Sequence, residues 1–185
     1  MKKQTRKSMR LTSAGLLLAL GLLIPQIFHV FGPTAGKLFL PMHISVLLSG
    51  LLLGPGYGFC IGLLTPALSM ALTGMPQMPT TVFMIAELSV YGLCGGLFYK
   101  KAGRNLFPSL LLTQLCGRCA YALTLFVMGV LLGLEVPGVL AVATATVTGL
   151  PGILLQWLLI PAAVFAVRRG GGYCDRRFPK SKNHS

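Results

Sequence analysis

Residues 41–87 read PMHISVLLSGLLLGPGYGFCIGLLTPALSMALTGMPQMPTTVFMIAE, and Glu87 is the one charged residue among them. Two apolar runs meet at residues 54–58 (GPGYG), where glycine and proline predict a tight turn. A bend with two prolines, residues 74–79 (GMPQMP), closes the second run. The pattern indicates two hydrophobic helices followed by a third that carries a carboxylate.

Composition excludes a soluble globular class. Of 185 residues, 54% are hydrophobic and 10% are charged, whereas a soluble domain carries roughly 25% charged residues. Because continuous apolar runs recur along the chain, we predict an all-α integral membrane protein.

Six transmembrane helices are predicted, with turns or loops between them. The first apolar run follows a basic segment, as in a signal peptide, but it has no small-residue cleavage site and is interpreted as an uncleaved span. The predicted spans are 11–31, 41–53, 59–72, 80–99, 106–132 and 139–167.

The basic residues predict the orientation. The formal net charge is +13, and five Lys or Arg lie in residues 1–10, three in 100–104 and six in 168–182. By the positive-inside rule both termini are cytoplasmic, with residues 1–10 and 170–185 as basic tails and the second tail disordered. Loops 32–40, 73–79 and 133–138 are then external. This placement indicates contact with anionic lipid rather than nucleic acid.

Two charges fall inside predicted spans, Glu87 and Arg118. An intramembrane charge is costly unless it is paired or hydrated, so each is a functional hypothesis. One alternative is a mutual ion pair that locks spans four and five. The other is a hydrated pocket that binds a polar solute, and the two can coexist because a pair can open to admit a ligand.

Further candidates for substrate binding lie near these charges. His43 begins span two on the external side, Gln77 lies in the loop before span four, and Tyr91 follows Glu87 by one helical turn. Tyr121 shares a face of span five with Arg118. Aromatic side chains with a few convergent polar groups suit a small-molecule site.

The chain lacks the motifs of the common enzyme and metal-site classes. No GxxxxGK[ST], HExxH or GxSxG sequence occurs, and only three acidic residues are present. We therefore predict no catalytic residues, no cofactor and no metal site. The CxxC pair Cys116 and Cys119 is interpreted as helix packing, because no second pair accompanies it.

The sequence resembles the substrate-binding S components of energy-coupling factor (ECF) vitamin transporters. The resemblance rests on LPMHISVLLSGLLLGPGYG (residues 40–58), the glutamate of span four, and GRCAYAL (residues 117–123). It also rests on a basic tail that leads into a first span with small residues one turn apart, Gly15 and Ala19. The family's motif there is AxxxA, so Gly15 replaces one alanine.

The resemblance implies a substrate-capture subunit of the bacterial plasma membrane that is not an enzyme. It implies an external site for a small vitamin or vitamin precursor, capped by the external loops. It also implies partners: a membrane T subunit, which Gly15 and Ala19 would contact, and two ATPase subunits. The alternative is a non-transporting six-span scaffold subunit without a ligand.

Overall fold

The computed structural model describes residues 2–30, 39–102, 105–131, 133–134, 138 and 140–169. Every regular element in these ranges is helical. We number the helices in chain order, and a single π-helical turn, Val127–Leu131, extends α5. The helices are α1 (Lys2–Val30), α2 (Pro41–Leu53), α3 (Pro55–Thr73), α4 (Thr80–Lys101), α5 (Leu106–Phe126), α6 (Leu140–Thr148) and α7 (Leu150–Arg169).

Among the described residues, five helical segments are long and apolar enough to cross a membrane, so the chain is a multi-pass membrane protein. They are Lys7–Ile27, Pro55–Thr73, Thr80–Lys101, Leu106–Leu131 and Leu150–Val167. The remaining predicted span, span two, corresponds to α2, which has 13 residues and a length of about 20 Å, short of the roughly 30 Å hydrocarbon core. Most of α2 is buried against its neighbours. The count of six spans stays a prediction.

The predicted turn at residues 54–58 is too long. The chain is helical again from Pro55, so only Gly54 separates α2 from α3. Gly54 has φ 104°, a value that residues with a side chain rarely adopt. Pro55 fits the first turn of α3, where no intrahelical N–H donor is required. Both residues therefore terminate one helix and start the next without a loop.

Two further boundaries differ from the predicted ones. Helix α1 begins at Lys2, so most of the predicted N-terminal tail is helical. The last apolar run is divided at Gly149 into α6 and α7, and Pro151 cannot donate a backbone hydrogen bond to the preceding turn. The predicted disordered tail 170–185, most of the loop 32–40, Arg104 and Glu135 lie outside the described residues.

Glycines let α2, α3 and α4 approach at backbone distance. A Cβ atom built on Gly92 would overlap the carbonyl oxygen of Gly58, and one on Gly96 would lie 2.5 Å from Pro55 N. A Cβ on Gly62 would likewise overlap the Leu88 carbonyl group. Close approach of this kind supplies the van der Waals contact that drives association of helices in lipid. The Gly62–Leu88 contact lies beside Glu87 and fixes that part of α4.

Candidate functional site

The two intramembrane charges meet at the interface of α4 and α5. Arg118 Nη1 lies 3.0 Å from Glu87 Oε1, and the side chains are 15% and 4% exposed, respectively. His43 on α2 directs Nε2 towards the same carboxylate oxygen at 3.9 Å. Three helices therefore contribute to one buried polar cluster, which we define as His43, Glu87 and Arg118.

Aromatic rings enclose this cluster. Tyr91, one turn after Glu87 on α4, packs edge-on against the His43 ring with a centroid distance of 5.3 Å. Tyr121, on α5, packs edge-on against Phe83 at 5.7 Å. Phe83 precedes Glu87 by one turn, so rings lie on both sides of the carboxylate along α4. Phe83 could not be predicted from the sequence, because an apolar ring in an apolar run carries no distinguishing signal.

Two glycines make room for these side chains. A Cβ on Gly117 would lie 2.7 Å from the Tyr91 ring, so glycine there lets the ring pack against α5. A Cβ on Gly149 would lie 3.6 Å from Arg118 Nη2 and 2.9 Å from Leu40 Cδ1. The junction of α6 and α7 therefore borders the guanidinium. Neither glycine was selected from the sequence, since their neighbours are distant along the chain.

Several polar atoms of the cluster have no hydrogen-bond partner among the described residues. They are His43 Nδ1 and Nε2, Glu87 Oε1, and Arg118 Nε and Nη2. The contact between Arg118 Nη1 and Glu87 Oε1 is an ion pair by distance but is not oriented as a hydrogen bond. Buried polar groups are normally hydrogen-bonded, and each unsatisfied one costs roughly 1–3 kcal/mol. Five such atoms on three side chains make this cluster the candidate functional site.

Gln77 lies apart from this cluster. It occupies the turn between α3 and α4 and is exposed, whereas Glu87 lies seven residues into α4, about 11 Å along the helix from Thr80. Hydroxyl groups hold the turn onto the helix ends: Ser69 Oγ donates to the Met75 carbonyl at 2.8 Å, and Thr81 Oγ1 donates to the Pro76 carbonyl. The role of Gln77 in substrate binding stays a prediction.

A second polar group lies one turn from Arg118 along α5. Gln114 Nε2 donates to Gln156 Oε1 at 3.1 Å, and Trp157 Nε1 donates to Gln114 Oε1 at 2.9 Å. These bonds connect α5 to α7. Both glutamine side chains are buried, and their hydrogen bonds connect the two helices. Gln156 Nε2 has no hydrogen-bond partner among the described residues.

Among the described residues, no three His, Cys, Asp or Glu side chains lie close enough together to hold a metal ion. The four described cysteines are free thiols.

The chain is similar to one family of known proteins over most of its length. The family model described as "ECF transporter, substrate-specific component" matches residues 9–167. The chain belongs to this family. It is therefore the substrate-specific component, or S component, of a transporter, and the family implies association with T and ATPase subunits of an ECF module. No curated protein and no solved structure matches the chain.

Proposed function

We propose that this S component captures a small vitamin or vitamin precursor at the cluster of His43, Glu87 and Arg118. The observation that carries the proposal is the set of five buried polar atoms without hydrogen-bond partners. Tyr91, Tyr121 and Phe83 supply apolar and aromatic surface beside them. Such a combination suits a small solute with both polar and apolar parts.

Retention of a solute tests this proposal. We expect S component purified from a bacterial membrane in mild detergent to release a small molecule on denaturation, detected by untargeted mass spectrometry. The same preparation of a Glu87→Gln/Arg118→Gln double variant is the matched control and should release much less. If neither preparation contains a solute and no vitamin stabilises the protein, the scaffold alternative replaces substrate capture.

The cluster would open towards the outside of a bacterial plasma membrane. In the orientation with both termini cytoplasmic, α4 runs inward from Thr80 to the basic pair Lys100 and Lys101. Glu87 then lies in its external half, and His43, the third residue of α2, lies near the external end of that helix. A solute could reach the cluster from outside beneath the turn that carries Gln77.

Epitope accessibility checks this orientation. An epitope inserted in the turn at Gln77 should bind antibody on intact cells, whereas one placed after Lys101 or at the C-terminus should bind only after permeabilisation. An epitope at the N-terminus serves as the internal control, because it should behave like the C-terminal one. A C-terminal epitope that is accessible on intact cells would contradict the proposed topology.

The partner subunit would dock on the small-residue face of α1. Gly15 is exposed, and a Cβ built there would meet no atom within 4 Å. Ala14 and Leu17, on the neighbouring face, are buried in the core of the chain, so Gly15 is not needed for internal packing. Small residues one turn apart allow a second helix to approach closely. We therefore assign Gly15 and Ala19 to contact with the T subunit of the module.

Larger side chains on this face of α1 should lower transport without affecting solute binding. Gly15→Leu combined with Ala19→Leu should lower ATP-driven uptake at least about tenfold, because the helices can no longer approach, and should leave solute retention by the isolated S component unchanged. The matched control is Leu16→Phe with Leu20→Phe, on exposed positions of the same helix, which should keep uptake. Loss of both uptake and retention in the first variant would mean that the face packs internally.

A further inference from the structure

The nitrogen donors of Arg118 differ in their contacts. Nη1 contacts Glu87 Oε1 at 3.0 Å, while Nε and Nη2 are buried and have no hydrogen-bond partner among the described residues. Nε and Nη2 form the side edge of the guanidinium, from which two N–H groups point in nearly parallel directions. That edge matches the two oxygens of a planar carboxylate, which arginine binds in a bidentate manner.

We propose that the captured solute carries a carboxylate that binds the Nε–Nη2 edge of Arg118. The proposal rests on the substrate-capture role given above and adds the chemical class of the substrate. Glu87 then holds the guanidinium in place through Nη1 while the opposite edge faces the solute. The ion pair and the ligand site are two uses of one side chain.

Gly149 borders this edge. Its Cβ position lies 3.6 Å from Arg118 Nη2, an ordinary van der Waals distance, and also 2.9 Å from Leu40 Cδ1 and 3.0 Å from the Ala145 carbonyl oxygen. A side chain at this position would have to displace Leu40 and would press against the guanidinium. Glycine at the junction of α6 and α7 therefore keeps a side chain away from the guanidinium edge.

Charge balance favours a solute with one negative charge over a cationic solute or a phosphate ester. Glu87 and Arg118 cancel each other, so the cluster is neutral when His43 is neutral. A cationic solute would face unpaired guanidinium donors, and the nearest carboxylate is already paired. A phosphate ester adds close to two negative charges, which costs more than one in a buried site. A carboxylate adds one charge and receives two charge-assisted hydrogen bonds.

His43 adds a second requirement. A neutral imidazole has one donor and one acceptor nitrogen, and both ring nitrogens lack hydrogen-bond partners among the described residues. Nε2 lies 3.9 Å from Glu87 Oε1, beyond hydrogen-bond distance. A hydroxyl group on the solute, which can donate or accept, would satisfy either ring nitrogen.

The test begins with the chemistry of the retained solute. The small molecules released from purified S component are treated with a carbodiimide and a mixture of the light and isotopically heavy forms of one amine. A solute with a carboxylate then forms two amides, which appear as a doublet in the mass spectrum. Equilibrium dialysis then compares matched pairs: nicotinate with nicotinamide, pantothenate with pantothenol, and biotin with biotinamide. Thiamine serves as the cation and pyridoxal phosphate as the phosphate ester. We expect a doublet, and one acid should bind about tenfold to a hundredfold more tightly than its uncharged partner.

Two variants test whether the preference for the acid depends on the Nε–Nη2 edge of Arg118. Arg118→Lys keeps the positive charge but lacks the paired N–H donors that bind a carboxylate in a bidentate manner. It should therefore reduce the preference for that acid over its uncharged partner to less than about threefold. Gly149→Val adds bulk next to Nη2 and should weaken binding of the acid at least about tenfold without changing any charge.

The outcomes separate the two proposals. A retained solute without a carboxylate, or equal binding of acid and uncharged partner, would overturn the carboxylate assignment and leave substrate capture intact. Retention of thiamine or pyridoxal phosphate would do the same. An empty extract together with no binding of any probe would overturn substrate capture itself, and the carboxylate assignment with it.

Discussion

Gly92→Ala is expected to destabilise the S component by about 3 kcal/mol or more, the upper end of the cost of overpacking a core. The added Cβ would overlap the carbonyl oxygen of Gly58, which is backbone and cannot rotate away. Helices α3 and α4 would have to separate, and the contacts at Gly62 and Gly96 would loosen with them. Thermal unfolding in detergent, followed by size-exclusion chromatography, measures the effect.

Gly95→Ala is the matched control. Gly95 is buried in the same helix, but a Cβ there would lie 3.6 Å from Thr113 Cγ2, an ordinary van der Waals contact. Alanine is also the better helix former by up to about 1 kcal/mol, so this variant should unfold at or above the wild-type temperature. Equal unfolding temperatures for Gly92→Ala and Gly95→Ala would show that α3 and α4 are not in backbone contact.

The same glycines explain why the cluster could be predicted only in part. Hydropathy predicted the apolar helices, though not all of their boundaries, because lipid imposes that requirement on each helix separately. Glu87 and Arg118 were selected for the same reason, since a charge in an apolar run is visible without any knowledge of its neighbours. His43, Gln77 and Tyr91 were predicted to lie near these charges. The structure places His43 and Tyr91 beside Glu87, whereas Gln77 lies in the exposed turn before α4.

What the sequence did not predict depends on contacts between distant segments. Gly117 and Gly149 matter because of what lies opposite them, Tyr91 and Arg118, and no local pattern encodes that. The turn at residues 54–58 was predicted too long because three glycines and a proline break most soluble helices. In this chain Gly56 and Gly58 lie inside α3, where close packing of Gly58 against Gly92 compensates for the low helix propensity of glycine.

The second prediction with a large effect concerns the ion pair. Arg118→Gln should lower the free energy of unfolding by roughly 3–5 kcal/mol, because it leaves a buried carboxylate uncompensated. Glu87→Gln should cost less. Arg118 is 15% exposed against 4% for Glu87, and the long arginine side chain can move its charge towards water. Thermal unfolding in detergent shows which of the two variants is less stable.

The Glu87→Gln/Arg118→Gln double variant separates the structural role of the pair from ligand binding. It contains no buried charge, and the two amides can hydrogen-bond to each other, so its stability should return to within about 1 kcal/mol of wild type. Solute affinity should not return, because the Nε–Nη2 edge is gone. Gln156→Met is the matched control, since it disturbs the neutral group between α5 and α7 and should lower stability without changing solute affinity.

Normal affinity in the stable double variant would contradict the proposed site, because the pair would then only lock α4 to α5. The solute would bind elsewhere, and His43 and Tyr91, which lie in the same layer, would be the next positions to vary. The expected result is the opposite: a protein that folds as well as wild type and binds its solute about tenfold to a hundredfold more weakly, the value of a lost charge-assisted hydrogen bond. Recovery of stability without recovery of affinity would show that the pair of Glu87 and Arg118 contributes to solute binding and does more than lock α4 to α5.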